Sequence, residues 1–164
     1  MTTQKIVPCL WFNGRAEEAA NFYCSLFPDA RITDMLRWGE VGHGTPGSVL
    51  TVSFEIEGQE FLALNGGPEF HFTPAISLMI NCERQDEIDV LWEKLGSDGG
   101  EAMQCGWITD KFGMTWQVTP RRLLALLKDK DPARAGRAMQ AMMGMVKLDL
   151  PAIEAAADGK QGTA

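Results

Sequence analysis

The chain has 164 residues, 45% of them hydrophobic and 23% charged, and a formal net charge of −7. That is the balance of a globular protein, one domain or a fused pair of small repeats, able to bury a core without disulfides or metal. An acidic chain of pI about 4.8 excludes a general binder of nucleic-acid phosphates, which needs a basic face to release counterions. No apolar run approaches the ~20 residues of a membrane span, and Met1-Thr2-Thr3-Gln4-Lys5 lacks the character of a signal peptide. The expected address is the cytoplasm, with neither nucleic acid nor membrane as partner.

Ile6 to Phe12 is a short apolar run ending at the turn signal Asn13-Gly14, and predicts a strand. Arg15 to Phe27 carries Ala19, Phe22, Tyr23 and Leu26 at i, i+3, i+4 and i+7, with Glu17 and Glu18 in its first turn, and predicts an amphipathic helix ended by Pro28-Asp29. Strands follow over Ala30 to Trp38, Ser48 to Ile56 and Glu60 to Leu64, with Glu57-Gly58-Gln59 as a tight hairpin turn. The pattern then restarts. Ala75 to Cys82 is a strand, and Arg84 to Leu95 is a helix whose Ile88, Leu91, Trp92 and Leu95 repeat the first stripe at an offset of 69. Glu101 to Thr109 offers one or two short strands and Thr115 to Val118 another. The order predicts two βαβββ units. Beyond Thr119-Pro120 come helices over Arg121 to Lys128 and Ala133 to Val146, the latter with Asp131 as N-cap and Pro132 at its first position. Pro151 opens a last short helix before a polar tail, Asp158 to Ala164, expected to fray.

Cys9, Cys24, Cys82 and Cys105 form no C-x-x-C pair, so neither a disulfide framework nor a zinc knuckle is implied. Gly42-His43-Gly44-Thr45-Pro46-Gly47 satisfies G-x-G-x-x-G, but it leads into the alternating, β-branched Ser48 to Phe54 instead of a helix. A nucleotide cradle needs helix N-terminal amides at that place, so a loop between strands is expected.

Five segments carry a resemblance. They are Leu10-Trp11-Phe12 with Ala16-Glu17-Glu18-Ala19 and Phe22-Tyr23; Phe61 to Leu64 with Asn65-Gly66-Gly67-Pro68; Trp92-Glu93-Lys94-Leu95; Gly106-Trp107; and Asp110-Lys111-Phe112-Gly113 with Trp116-Gln117-Val118. Together they resemble the vicinal-oxygen-chelate (glyoxalase/bleomycin resistance/dioxygenase) superfamily, and more closely its PhnB-like branch, whose members often bear a 3-demethylubiquinone-9 3-methyltransferase-like label. The resemblance implies an α+β fold of two βαβββ modules with a helical C-terminal extension. Residues 1–120 would hold the paired modules (about 4–67 and 74–119), residues 121–158 the extension and residues 159–164 a flexible tail. It also implies a homodimer. Methyl transfer is not implied by the residues, because a methyl donor such as S-adenosylmethionine usually sits after a strand with a glycine-rich turn in a doubly wound sheet.

Metal-using members of the superfamily place one His, Glu or Gln on each of four strands. Alignment puts Val7, Ala63, Ile76 or Ser77, and Gln117 at those places. Val and Ala have no lone pair to donate, and two neutral oxygens do not hold a transition ion, so no cofactor is expected. His71 with Glu69 could form a relocated metal or acid–base pair, or His71 could be a loop histidine between two packing aromatics. Cys9 and Cys105 are expected as buried, inert thiols, Asp110 as a turn cap, Lys111 as a solvated neighbour, and Arg31 and Arg37 as guards of a strand edge. Met139, Met142, Met143 and Met145 predict a packing face or subunit contact.

A cavity lined by Trp11, Phe54, Asn65, Cys105, Trp107, Trp116 and Gln117 would suit a small, partly apolar ligand. Three functions follow from this reading. The first is a metal-free binder of a small molecule in an aromatic-lined cavity. The second is a glyoxalase- or dioxygenase-type enzyme with its metal near His71 and Glu69. The third is a structural protein whose extension serves dimerisation.

Overall fold

The computed structural model describes residues 4–160; the tail from residue 161 onward lies outside the described residues. The chain forms two compact units that divide between Phe72 and Thr73. The first holds β1 (Cys9–Phe12), α1 (Ala16–Ser25), β2 (Ala30–Arg37), β3 (Val49–Ile56) and β4 (Gln59–Asn65). Its sheet has the order β1-β4-β3-β2, with β1 parallel to β4 and the other pairs antiparallel. The second holds β5 (Ser77–Cys82), α2 (Gln85–Leu95), β6 (Glu101–Ala102), β7 (Trp107–Thr109) and β8 (Thr115–Pro120) in the order β5-β8-β7-β6, followed by α3 (Arg121–Leu127), α4 (Pro132–Met143) and α5 (Leu150–Ala157). The doubled βαβββ order is therefore present, and α1 and α2 begin at the offset of 69 read from the stripe.

Strand alternation divides each sheet into two faces. In the first unit Leu10, Phe12, Val52, Phe54, Phe61 and Ala63 are buried on the face that carries α1. In the second, Cys82, Ile108, Trp116 and Val118 are buried on the face that carries α2, whose Ile88, Leu91 and Leu95 complete that core. The β3–β4 hairpin turns on Glu57 and Gly58, both at positive φ (47° and 81°). That is the pair of left-handed residues a two-residue loop needs to match strand twist.

Several boundaries differ from the sequence expectation for local reasons. The first strand begins at Cys9 because Pro8 has no N–H to pair; its carbonyl still accepts from Leu62 N at 2.9 Å. The fifth begins at Ser77 because Thr73 closes a turn on Ala75 and Ile76, accepting their N–H groups through Oγ1 and the carbonyl. Helix α4 keeps its Asp131 cap, which accepts from Ala133 N at 3.0 Å, but it ends at Met143, with Gly144 as its C-cap. Met145 and Val146 leave the helix so that their carbonyls accept from Cys105 N and Gly106 N, each at 2.8 Å. The G-x-G-x-x-G segment is a loop, as expected. A Cβ at Gly42 or Gly44 would lie 2.3 or 2.1 Å from the Trp38 ring, so these glycines let the backbone close on an indole.

The helical extension belongs with the second unit. Leu123, Leu126, Ala138, Leu148, Ile153 and Ala157 form its own core, with Met142 and Met145 packed against it. Met139 and Met143 stay exposed. Gln85 on α2 donates to Leu148 O and accepts from Leu150 N, while Lys147 reaches Asp89 at 2.6 Å and Arg121 pairs with Glu83. Among the described residues no helix is long and apolar enough to cross a membrane.

Gly106 sits at φ +81° with Leu148 Cδ1 only 2.8 Å from where a Cβ would stand. Gly106→Ala is thus expected to destabilise by about 2 kcal/mol or more, from backbone strain and overlap together. Leu148→Ala, which opens a cavity at a residue 1% exposed, should lower stability by about 2–5 kcal/mol. Urea denaturation of both variants checks this; wild-type midpoints would show that the extension is not docked there.

Candidate functional site

The face of the first sheet opposite α1 is free of that helix, and the registers fix which side chains share it. Cross-strand partners place Arg31, Glu55 and Glu60 in one row, Asp34, Ser53, Leu62 and Cys9 in the next, and Leu36, Thr51, Leu64 and Trp11 in the third. The face therefore grades from charged to largely apolar along the strands. A cavity of about 720 Å³ covers its polar part, lined by Val7, Arg31, Thr33, Asp34, Ser53, Phe54, Glu55, Glu60, Phe61 and Leu62. Thr33 is displaced by a bulge between Ile32 and Asp34, and bulges re-aim side chains at sheet edges.

Glu55 and Glu60 lie directly opposite one another, an arrangement that repels when both are ionised. Arg31 answers Glu55 at 3.8 Å, and with its own side chain 70% exposed that pair contributes little. Arg31 thus faces the cavity as well as holding the strand edge.

The residues named from the sequence fall in several places. Phe54 is the one of them that lines this cavity; it is 1% exposed and stacked on Phe61 at 5.2 Å. Trp11 stands on the open face in the apolar row, donates its indole N–H to Gly67 O at 2.9 Å and meets the edge of Phe70 at 4.9 Å. Asn65 ties α1 to the sheet: Oδ1 accepts from Ala16 N at 2.9 Å and Nδ2 donates to Val49 O at 3.1 Å. It also borders a smaller cavity of about 340 Å³ with Gly14, Glu17, Trp38, Ser48, Val49 and Gly67. In the second unit, Trp107 and Gln117 are cross-strand partners on the open face, whereas Trp116 points to the α2 side and is 2% exposed. Cys105 occupies a turn at φ 58°.

Asp110 is a buried anchor: Oδ1 accepts from Phe112 N at 2.8 Å and Met114 N at 3.1 Å, and Oδ2 from Trp116 Nε1 at 2.8 Å. The turn-cap expectation is met and extended, because the carboxylate also fixes the tryptophan ring. Lys111 is not solvated as expected. Its side chain is 18% exposed, lying over the Phe112 ring at 5.5 Å and 3.8 Å from Asp98.

Alternation corrects the alignment of the metal positions. Ala63 faces α1 and is fully buried. The residue beside Val7 on the open face, by extension of the Cys9–Leu62 register, is Glu60. Ser77, not Ile76, shares the open face with Gln117, whose Nε2 donates to Ser77 Oγ at 2.9 Å. At the aligned places themselves stand Val7 and Glu60 in the first unit and Ser77 and Gln117 in the second, which is not the His-rich donor set a transition ion prefers. Glu69 and His71 are both exposed, and among the described residues no three His, Cys, Asp or Glu side chains gather as a metal cluster. Phe70 and Phe72 instead pin their segment to β1 through Trp11 and Phe12.

With this geometry in hand, known proteins place the chain. Residues 4–119 match the family model described as 3-demethylubiquinone-9 3-methyltransferase. The chain belongs to that family. A Bacillus cereus structure described as a putative 3-demethylubiquinone-9 3-methyltransferase, PhnB protein, is 40% identical, covers 71% of this chain and 99% of its own, and has a TM-score of 0.66. Protein PA1353 from Pseudomonas aeruginosa is 22% identical over 70% of this chain and 95% of its own, with a TM-score of 0.57. The genomically encoded fosfomycin resistance protein FosX of Listeria monocytogenes, complexed with Mn(II) and sulfate, is 14% identical over 78% of this chain and 98% of its own, with a TM-score of 0.52. These likenesses show the vicinal-oxygen-chelate fold. No curated protein matches the chain. The family match ends at residue 119, so α3, α4 and α5 lie beyond it.

Sequence reasoning missed Arg31, Asp34, Ser53, Glu55 and Glu60 as cavity residues. The signal was present in β3, where Thr51, Ser53 and Glu55 alternate with Val52, Phe54 and Ile56. A polar stripe reads equally as a solvated face.

The thiols separate by environment. Cys82 is fully buried, and burial together with the charges of Glu87 and Glu83 pushes its thiol up to about 12. Cys9, expected to be buried, is exposed on the open face, with its thiol raised by partial desolvation. At pH 8 an aromatic disulfide reagent is expected to label Cys9 in the folded protein and Cys82 only after unfolding. Cys9→Ser should remove the fastest phase; an unchanged trace would place that accessible thiol elsewhere.

Proposed function

We propose that this chain binds a small organic molecule on the open face of the first sheet, without a transition metal. The cavity of about 720 Å³ over that face carries the reading. It lies within the range of about 300–1,000 Å³ common for ligand sites. A guanidinium, three carboxylates and two hydroxyls line it beside Val7 and Leu62, with Leu64 and Trp11 next along the face. Such a surface orients a ligand that has a strongly polar end and an apolar body. Ser53 stands at its centre, on the middle of β3. Ser53→Trp should fill the space and abolish fragment binding in a fluorine-detected NMR screen while leaving the melting temperature near that of the wild type. Fragments that bind both proteins alike would remove the cavity from the argument.

The family's description names methyl transfer, yet each unit here is a four-stranded mixed sheet. The crevice of a doubly wound parallel sheet, where dinucleotide-like donors usually bind, has no counterpart in that order. S-adenosylmethionine is therefore expected to leave the melting temperature unchanged, and so are zinc, iron, manganese and nickel. A rise that grows with concentration of either the donor or a metal would overturn the corresponding part of this proposal.

A further inference from the structure

At the end of the first sheet, beside the first turn of α1, lies the smaller cavity of about 340 Å³. Its floor is Asn65, which alternation puts on the α1 side of β4 with Ala63. The cavity shares no lining residue with the larger one over the open face. Asn65 is held at both ends of its amide, by Ala16 N and by Val49 O, so the floor is fixed in place. Glu17 of α1, Trp38 just past β2 and Ser48 just before β3 stand around it, and Gly14 and Gly67 complete the lining without side chains.

Trp38 is held by backbone and not by a core. Its N–H donates to Ser48 O and its carbonyl accepts from Gly47 N, each at 2.8 Å, which closes the loop between them. Within that loop Gly42 lies against the six-membered ring of the indole and Gly44 against its pyrrole edge, where any side chain would displace the ring. The half-buried indole thus borders the cavity with its position set by a glycine loop behind it.

The polar groups around this ring suit a cation. Glu17 lines the cavity, and Glu69 Oε2 lies 2.6 Å from where a Cβ on Gly67 would stand, which places a second carboxylate at the rim. Among the described residues neither carboxylate is paired with a cation, and no lysine, arginine or histidine lines the space. The neighbouring arginines are engaged elsewhere, Arg15 with Glu18 at 2.7 Å and Arg37 with Gly47 O at 3.0 Å. Ser48 gives its hydroxyl hydrogen to Thr45 O, so its oxygen is left to accept. An indole beside a carboxylate and a hydroxyl oxygen attracts a positive charge that carries hydrogens to donate. We propose that this cavity binds the ammonium group of a primary amine with a small apolar body, Glu17 and Ser48 accepting its hydrogens and Trp38 lying against it. The site is separate from the one proposed above and does not rest on it.

The test is a titration of the full, nitrogen-15-labelled chain with benzylamine, an ammonium at neutral pH, and with benzyl alcohol, which keeps the ring but carries no charge. Benzylamine is expected to shift the Trp38 indole and the Gly14 and Glu17 amide resonances. Benzyl alcohol should bind about tenfold more weakly or worse, since the charge-assisted hydrogen bonds and the attraction to the indole both depend on the charge. Glu17→Gln keeps the shape of an exposed side chain and should lose most of the benzylamine affinity with the rest of the spectrum preserved; Trp38→Leu should weaken the Gly14 and Glu17 shifts as well. Ser53→Trp fills the other cavity and should leave the Trp38 shifts unchanged. Equal binding of the two probes, full affinity in Glu17→Gln, or no shift at Trp38 with benzylamine would overturn the proposal. Shifts confined to Ser53, Glu60 and their neighbours, lost in Ser53→Trp, would overturn it while supporting the open-face site.

Discussion

In each unit the first strand runs parallel to the last, and the second strand lies at the opposite edge of the sheet running the same way as the first. Parallel strands cannot be joined by a hairpin, so the chain must cross over, and it does so with one helix laid on one face. That single crossover uses up a face. The hairpins that complete the sheet then add strands without adding any cover to the other side. That constraint leaves one face of each sheet free of its own unit's helix, while alternation supplies that face with a separate set of side chains.

The same constraint explains what could be read from the sequence. The helices were legible because their buried faces are written as stripes: Ala19 and Tyr23 in α1, and Ile88, Leu91 and Leu95 in α2, are all buried. The strands on the packed side were equally visible as β-branched and aromatic residues. Errors arose where a local group overruled the pattern. Pro8 shortened the first strand, and the bonds that Met145 and Val146 make to the Cys105–Gly106 turn ended α4 early. The open faces were harder to read, because register is a property of strand pairs and not of a strand. Ala63 and Glu60 are three apart, on opposite faces, and only the pairing of β1 with β4 shows that the carboxylate is the one beside Val7. Glu55 and Glu60 likewise meet only across the hairpin.

The extension adds a different kind of information. Its helices are short, of seven, twelve and eight residues, below the length at which helices are stable alone in water. They hold together through a small apolar core and through polar ties that reach specific groups on the module they cover. Arg134 pairs with both Asp129 and Asp158, and Arg137 donates to the carbonyls of Ala156 and Ala157 at the end of α5. Leu148 lies against Gly106, and its neighbours Met145 and Val146 bond the same turn. That turn leads directly into Trp107, so the extension steadies the start of β7, the strand that brings an aromatic ring beside Gln117.

The two units repeat one another in strand order and in the placement of the helix, but their open faces do not repeat in chemistry. The first gathers Arg31, Asp34, Glu55 and Glu60; the second gathers Ser77, Thr109, Thr115 and Gln117. The packed faces are under a shared demand, since each must fill the space beneath one amphipathic helix with apolar side chains, and that demand keeps them alike. The open faces answer to no such demand from their own unit. Polar side chains placed there are therefore free to differ, and a carboxylate set opposite another carboxylate, or a threonine hydroxyl buried without a partner, costs stability that packing alone would have removed. Those two departures lie on the same side of their respective sheets, away from the helix. The units thus agree in the packing of one face and differ in the chemistry of the other.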